Sequence, residues 1–504
     1  MVKERVVAAI DQGTTSTRCL LFNHAGRMIA VSQREHRQHY PRPGWVEHDV
    51  AEIWRNVERV VPGALREAGL TPDNLAALGI ANQRETTVIW NRQTGRPLAR
   101  AITWQDTRTE PLVEELAATG KADLIRDVCG MPPTTYFAGP RLRWLLDNVP
   151  GAREGAERGD VLFGTMESWL IWQLTGGANG GSHVTDVTNA SRTMLMDIRD
   201  LRWDERLLRT LDIPAAMLPE IRPNATVYGT CRTVVPGVPI GGALGDQHAA
   251  LFGQTCFAPG EAKCTYGTGA FLLMNTGGRL ATSPHGLIPT IGYVVGDGPP
   301  VYALEGSIAV TGSLVQWFRD SLELIDTAPQ IESLATSVSD NGGCYIVPAF
   351  SGLYAPRWHP DARGVVVGLT SYVTKGHLAR AVLEATGWQT REVVDAMNAD
   401  AGPGLALTRL KVDGGMTANH LLMQFVADVI DVPVERPFVM EAVSLGAAYA
   451  AGLAVGYWAD LAVLRGNWHR AALWEPEMDP GHRSLEHDNW NRAVERTYDW
   501  VRPA

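Results

Sequence analysis

One pattern is written twice in this chain, and any fold must find room for both copies: a buried strand, a Gly/Thr tip, and a second apolar strand. In the first copy Val6-Val7-Ala8-Ala9-Ile10 runs through Asp11-Gln12-Gly13-Thr14-Thr15-Ser16-Thr17-Arg18 into Leu20-Leu21-Phe22-Asn23 and a turn at Gly26-Arg27. In the second, Lys263-Cys264-Thr265-Tyr266 passes Gly267-Thr268-Gly269 into Leu272-Leu273-Met274-Asn275 and Gly278-Arg279. Short apolar runs bounded by glycine and polar residues read as strands, so each copy predicts a hairpin. The match is brief and the chain holds 51 glycines, so the case for a duplicated fold rests on the chemistry around the two tips.

The first tip suits phosphate, and the second, which repeats its logic, makes two phosphate-facing hairpins. Glycine lets the backbone approach a ligand, while Thr14, Thr15, Ser16 and Thr17 with Arg18 supply donors and positive charge. Asp11, at the strand end, is placed to hold a metal-bound water. Downstream, Asn82-Gln83-Arg84-Glu85-Thr86-Thr87 sets a guanidinium beside a carboxylate. A donor fork next to an acceptor matches a vicinal diol, whose hydroxyls each give and take a hydrogen bond. Neighbours in a regular strand face opposite sides, so both reach one ligand only if the strand ends or bends there. The bland alternative is a surface ion pair. Trp104 and Phe271 are available as an apolar wall for a carbon backbone. Asp246 stands beside Gly241, Gly242 and Gly245, in a turn able to set a short carboxylate at a cleft. That suits the base of phosphoryl transfer, which otherwise asks mainly for positioning and charge stabilisation. Its other reading is the N-cap of a helix starting at Gln247.

At 504 residues the chain exceeds one ordinary core. The texture changes at the polar, Pro/Gly segment from Gln254 to Gly260, which predicts two domains, 1–254 and 255–504. Periodicity predicts helices over 51–68, 313–322 and 376–399. A strand over 406–412 leads to Asp413-Gly414-Gly415, and a helix opens at Thr417-Ala418-Asn419, an arrangement suited to a nucleotide edge. The small-residue run Ser444 to Gly452 reads as a closely packed helix without a chemical role. A net charge of −10 and the lack of any basic block argue against nucleic acid. The apolar run before Asp11 is too short for a signal peptide core and no later run matches a membrane span, so a cytoplasmic protein is expected. Six cysteines without C-x-x-C spacing predict buried reduced thiols. With no P-loop, no G-x-G-x-x-G after the first strand and no kinase catalytic loop, the repeated hairpin fits an actin-like arrangement, two related domains clasping ATP and Mg2+.

With these pieces assembled, the chain resembles the glycerol-phosphorylating members of the FGGY carbohydrate kinase family over essentially its whole length. The resemblance rests on Asp11 to Arg18, Asn82 to Thr87, Trp104-Gln105, Tyr136-Phe137, Thr185 to Met194, Gly245-Asp246-Gln247, Thr265 to Gly269, Tyr302 to Gly306, Pro348 to Leu353 and Val412 to Gly415. It implies an α/β fold of two duplicated actin-like (ribonuclease H-like) ATPase domains around a nucleotide cleft. It also implies ATP-dependent phosphorylation of glycerol to sn-glycerol 3-phosphate and ADP. By the same resemblance Arg84, Glu85, Tyr136, Asp246 and Gln247 hold glycerol, with Asp246 as base, and Trp104 and Phe271 line its carbon side. Thr14, Thr15, Ser16 and Arg18 contact phosphates, while Thr268, Gly312, Gln316, Gly415 and Asn419 contact the nucleotide. Asp11 orders Mg2+ through water, as a hard cation that keeps its hydration shell prefers. A homo-oligomer, dimer or tetramer, is expected. Cys231 to Pro239 is short and lacks both the Gly/Lys/Arg-rich loop that binds fructose 1,6-bisphosphate in some members and the histidine phosphorylated in others, so neither control is expected. Departures at Ala138, Pro140, Arg141, Tyr354 and Arg357 are expected to stand clear of the glycerol contacts. Two alternatives are an FGGY kinase for a larger polyol or ketose, and a non-catalytic actin-fold ATPase.

Overall fold

The computed structural model describes residues 5–501. Its first sheet holds β1 (Val6–Gln12), β2 (Ser16–Phe22), β3 (Met28–Glu35), β4 (Leu75–Asn82), β5 (Ala225–Thr230) and β6 (Pro239–Gly245), in the order β5-β6-β4-β1-β2-β3. The second holds β7 (Glu261–Tyr266), β8 (Ala270–Gly277), β9 (Ile288–Tyr293), β10 (Val301–Ile308), β11 (Arg409–Asp413), β12 (Val434–Pro437) and β13 (Arg470–Trp474), in the order β9-β10-β8-β7-β11-β12-β13. The row β3-β2-β1-β4-β6 runs antiparallel, antiparallel, parallel, parallel. The row β10-β8-β7-β11-β12 repeats that sequence of directions. Both expected hairpins, β1–β2 and β7–β8, occupy the same place in their sheets, so the duplication is present in topology.

The helices that shape the cleft are α1 (Val50–Glu67), α2 (Asp246–Gly253), α3 (Gly312–Asp320), α4 (Lys375–Ala401), α5 (His420–Ile430) and α6 (Ala442–Ala454). The unbroken apolar run of β1 means that both its faces are covered. Val6, Ala8 and Ile10 pack in one core with Ile53, Val57, Val60, Val61 and Ala64 of α1, and Val7 and Ala9 pack in another with Ala447, Ala448 and Ala451 of α6. Each buried Val or Ile among them contributes roughly 1.5–3 kcal/mol by leaving water, and each Ala less. α1 starts where the Asp49 carboxylate accepts the Ala51 N–H at 2.9 Å, an ordinary N-cap.

Although it follows the second sheet in sequence, α6 packs on the first sheet and against α2. The approach is close enough to require glycine: a Cβ on Gly446 would lie 1.8 Å from the Ala249 carbonyl oxygen, and one on Gly79 would lie 2.1 Å from that of Ala447. The small residues of 444–452 are therefore packing residues, as expected. Helix α2, which begins at Asp246, lies between α6 and the second sheet, where Leu251 meets Leu273 and Ala303.

Two boundaries differ from the sequence reading. The strand expected over 406–412 begins at Arg409, because the Leu407 N–H donates to Asn398 Oδ1 at 2.8 Å. The helix expected from Thr417 opens as a 3-10 turn, Gly415–Ala418, and α5 follows Asn419, whose side chain caps it by accepting from the Leu422 N–H at 2.8 Å. The six cysteines are free and buried. Among the described residues no helix is long and apolar enough to cross a membrane.

Candidate active site

The site hangs from the ends of β4 and β6, and a buried polar cluster pins both. Asn82, the last residue of β4, donates to Glu167 Oε2 at 3.1 Å and to Asn189 Oδ1 at 3.0 Å. The Gly245 N–H, at the end of β6, donates to Thr188 Oγ1 at 3.0 Å, and that hydroxyl in turn donates to Asp186. Burial, with the charge of Asp186, pushes Glu167 up to about 7. Interior polar groups of this kind persist only when paired, and here the pairing fixes where two functional segments begin.

Beyond Asn82 the strand stops. Glu85 has φ +63°, a left-handed conformation uncommon outside glycine, and the Thr86 N–H closes a tight turn onto the Arg84 carbonyl at 2.7 Å. That bend removes the strand alternation, so Arg84 and Glu85 serve one site. Both are buried, which excludes the surface ion pair. Arg84 Nε lies 3.2 Å from Asp246 Oδ1 and 3.9 Å from Glu85 Oε1. The ends of the Arg84 fork are engaged: Nη1 and Nη2 donate to the two oxygens of Glu305 at 2.5 and 2.9 Å. Arg192 completes the array, with Nε donating to Glu85 Oε1 at 2.6 Å and Nη2 to Glu305 Oε1 at 3.3 Å. Burial opposes the charge on Glu305, but Arg192 and Arg84 outweigh it and hold this carboxyl far below the usual carboxylate range.

Asp246 is the first residue of α2. Gly245 takes the N-cap position, and Asp246 Oδ1 instead accepts its neighbour's N–H, that of Gln247, at 2.7 Å. Its side chain is 30 % exposed, enough to meet a ligand. Burial, partly offset by Arg84 and reinforced by Glu85, pushes its carboxyl up from 3.8 to about 6. Trp104 and Tyr136 meet edge to face with ring centroids 5.8 Å apart, and the Trp104 Nε1–H donates to Thr14 Oγ1 at 3.1 Å, joining this aromatic pair to the first hairpin. Burial raises the Tyr136 hydroxyl, which stays protonated. Phe271 follows the second hairpin tip on β8.

The expectation that the Arg141 departure stands clear of these residues is overturned. This buried guanidinium donates to the backbone carbonyl of Glu85 at 2.7 Å, to that of Thr135 at 2.8 Å, and to that of Tyr136. It fastens the Glu85 bend to the Tyr136 segment.

At the first hairpin tip, where phosphate contacts are expected, Arg18 donates from Nε to Asp11 Oδ2 at 2.9 Å, and Nη1 pairs with Glu441 at 2.6 Å. Ser444 Oγ also donates to Asp11 Oδ2, at 3.0 Å, so α6 reaches Asp11, a contact that the sequence reading did not give it. Thr14, Thr15 and Ser16 lie in the tip, Thr15 being exposed. Their backbone is braced from below. Gln38 Nε2 donates to the Thr14 carbonyl at 2.6 Å, His48 bridges Gln38 and Gln83, and Gln83 Nε2 reaches Gln12 Oε1 at 3.1 Å. This pattern assigns His48 as neutral, Nδ1 accepting, in keeping with burial that pushes it down to about 3.

The residues expected to contact the nucleotide fall on three adjoining pieces. The Gly312 N–H donates to the Gly267 carbonyl at 3.0 Å and the Ser313 N–H to that of Thr268 at 3.0 Å, so the second tip sits on the N-terminus of α3. A Cβ on Gly312 would meet Met416 Sδ at 3.3 Å, which brings in the turn holding Gly415 and leading to Asn419. Gln316 lies exposed one turn along α3.

Sequence reasoning missed Glu305, Arg192 and Lys263 as members of the site. Lys263 Nζ donates to Gln247 Oε1 at 2.5 Å. A signal was present: Leu304-Glu305-Gly306 and Ala262-Lys263-Cys264 each put a charge inside an apolar strand, and such a charge needs a partner.

Residues 6–253 match the family model described as FGGY family of carbohydrate kinases, N-terminal domain, and residues 262–455 match the corresponding C-terminal domain. The chain belongs to the FGGY family of carbohydrate kinases. Within that class its relatives include glycerol kinase 1 of Streptomyces avermitilis, 60% identical over 500 residues and covering 98% of this chain and 97% of that one. The glycerol kinase of Chloroflexus aurantiacus is 60% identical over 497 residues, 99% of each chain. Among solved structures, Plasmodium falciparum glycerol kinase with ADP superposes with a TM-score of 0.93 at 39% identity, covering 99% of both chains. A xylulose kinase from Lactobacillus acidophilus, at 21% identity and TM-score 0.86 over 98% of this chain and 97% of that one, shares the fold.

Proposed function

We propose that this chain is an ATP-dependent glycerol kinase, transferring the γ-phosphoryl group of ATP to glycerol to give sn-glycerol 3-phosphate and ADP. The observation that carries the reading is one cluster: Asp246, pushed up to about 6, stands 3.2 Å from Arg84, Arg84 stands 3.9 Å from Glu85, and Arg141 ties the Glu85 bend to the Tyr136 that packs on Trp104. Glu85 accepts from a substrate hydroxyl, and Arg84 donates through Nε and the N–H groups that Glu305 leaves free. Asp246 accepts the proton of the terminal hydroxyl as its oxygen attacks phosphorus. A carboxylate with this value is ionised at neutral pH yet more basic than an ordinary one, as general-base catalysis requires. Thr14, Thr15, Ser16 and Arg18 contact the phosphates, and Thr268, Gly312, Gln316, Gly415 and Asn419 the rest of the nucleotide. Closure of the two halves excludes water, which would otherwise accept the phosphoryl group.

The donor set fits Mg2+. Asp11 Oδ2 is taken by Arg18 and Ser444, leaving Oδ1 for a metal-bound water. Among the described residues no group of three or more His, Cys, Asp or Glu is arranged to cage a metal, which suits a cation held mainly by water and substrate phosphates. When bound, the ion would neutralise charge on the transferring phosphoryl group.

ADP release measured with a panel of polyols and ketoses tests the function. Glycerol is expected to raise the rate well above the ATP-only background, while pentuloses and hexoses do not; a glycerol rate at background overturns the reading. The assembly we propose is a dimer or tetramer, and light scattering that returns a single subunit overturns that part alone.

A further inference from the structure

Lys263 is fully buried. On β7 it stands opposite Leu273 of β8, which in turn stands opposite Glu305 of β10, so the three share the sheet face turned toward the glycerol residues. Its Nζ has three acceptors: Gln247 Oε1 at 2.5 Å, Thr265 Oγ1 at 3.1 Å and the Phe271 carbonyl at 3.2 Å. An ammonium has three N–H donors and no lone pair to accept with, so all three are used and none is spare. Gln247 must therefore turn its amide oxygen to Lys263 and its NH2 away. Among the described residues no protein group accepts from that NH2, and it is not among the sealed-off polar atoms, so it opens to solvent beside Asp246.

We propose that Lys263 is a positioning residue of the alcohol site: it holds the Gln247 carboxamide as a donor toward a substrate hydroxyl oxygen, and so makes the site prefer a hydroxyl to an ammonium at that place. The proposal rests on the glycerol reading above. A purely structural lysine, present to balance buried carboxylates, would affect stability and turnover without changing which group Gln247 accepts.

The test uses the full chain and compares kcat/KM for glycerol and for 3-amino-1,2-propanediol, or the inhibition constant of the amine where it is not turned over. Calorimetric ADP binding checks that the nucleotide site is intact. In Lys263→Met the carboxamide is free to turn. The KM for glycerol should rise about tenfold with little change in kcat, and the preference for glycerol over the amine should narrow about tenfold. In a Gln247→Met background, adding Lys263→Met should change that preference no further. Parallel losses for both substrates, or an undiminished Lys263 effect without Gln247, overturn the proposal. Should Lys263→Met fail to fold, Gln247→Glu puts an acceptor oxygen where the NH2 stood; it should move the preference toward the amine by about tenfold, and an unchanged preference overturns the proposal. A wild-type enzyme inactive on glycerol overturns the function itself, whereas an active one with an unmoved ratio overturns only the role of Lys263.

Discussion

The two hairpins share a frame and carry different chemistry. When Gly13-Thr14 is laid on Gly267-Thr268, the rung that pairs Asp11 with Arg18 in the first hairpin pairs Thr265 with Phe271 in the second. The charge of the second lies two residues earlier, at Lys263, where the first has Ala9 packed against α6. At the first tip the charges border the cleft, Arg18 being 27 % exposed, and water can share in solvating them. In the second the cation is buried and every one of its donors is used. Duplication has thus repeated the backbone with different side chains on it: at the first tip a partly exposed cation pairs with Asp11 and Glu441, and behind the second tip a buried one holds Gln247. Fold and function are separable in this way because function resides in side chains placed on a common frame.

The largest effect should come at Asp246, where the two halves meet. Asp246→Asn should keep ADP affinity and lose about 10²–10⁴-fold in kcat, the usual contribution of a positioned base; a near-normal kcat removes Asp246 from the mechanism. The same residue sets a pH dependence in which activity and stability move in opposite directions. Activity needs the ionised carboxylate, so kcat/KM for glycerol should fall as pH drops through about 6. Its folded-state value lies above the ordinary 3.8, so the native state binds this proton more tightly than the unfolded one. The stabilisation from that proton is fully present below about pH 4 and is lost as pH rises through about 6. Asp246→Asn should flatten both profiles between pH 4 and 7.

Next in size is Glu305→Ala, which takes from Arg84 and Arg192 the carboxylate that β10 supplies. Removing one partner of a buried ion pair leaves uncompensated charge, at a cost of about 3–5 kcal/mol. Denaturant unfolding should show that loss, with a raised KM for glycerol because the Arg84 fork is no longer held. A loss below about 1 kcal/mol would mean that water reaches Arg84 and that the second half supports the site less than the geometry indicates.

What the sequence made legible follows from what is continuous along it. The hairpins, α1 and α4 are local patterns, and each was placed within a few residues. Arg84 and Glu85 were found because they are adjacent, but the bend that brings them to one ligand depends on the φ of Glu85, which is held from outside by Arg141, 56 residues away. Glu305 and Lys263 were passed over because their partners are 221 and 16 residues distant and on other elements. Ser444 was read as packing alone because its neighbours are small and apolar, and its hydroxyl has meaning only once α6 is laid beside Asp11, 433 residues away. For Lys263 and Ser444 the element is evident from the sequence and the partner is not; the strand that carries Glu305 is itself absent from the sequence reading. The residues that could have been flagged in advance are those whose charge contradicts the strand around them.

The smallest effect should be at the first hairpin, with Glu441→Gln. The Arg18–Glu441 pair is short, 2.6 Å, but its side chains are 27 % and 33 % exposed, and Arg18 keeps two contacts to Asp11 at 2.7 and 2.9 Å. Stability should therefore fall by no more than about 1 kcal/mol, and by less at high salt. Ligand binding separates two roles for Arg18. Nη1 is the nitrogen that Glu441 holds and Asp11 does not, so if Arg18 is a phosphate ligand, exchanging the competing carboxylate for a neutral amide acceptor should tighten ADP about two- to fivefold at low ionic strength. Calorimetry at two salt concentrations measures this directly. Weaker binding would mean that Glu441 positions Arg18 instead of competing for it, and that Arg18 acts mainly by orienting Asp11. The first hairpin would then resemble the second more closely, each using its cation to set the orientation of a neighbouring polar side chain.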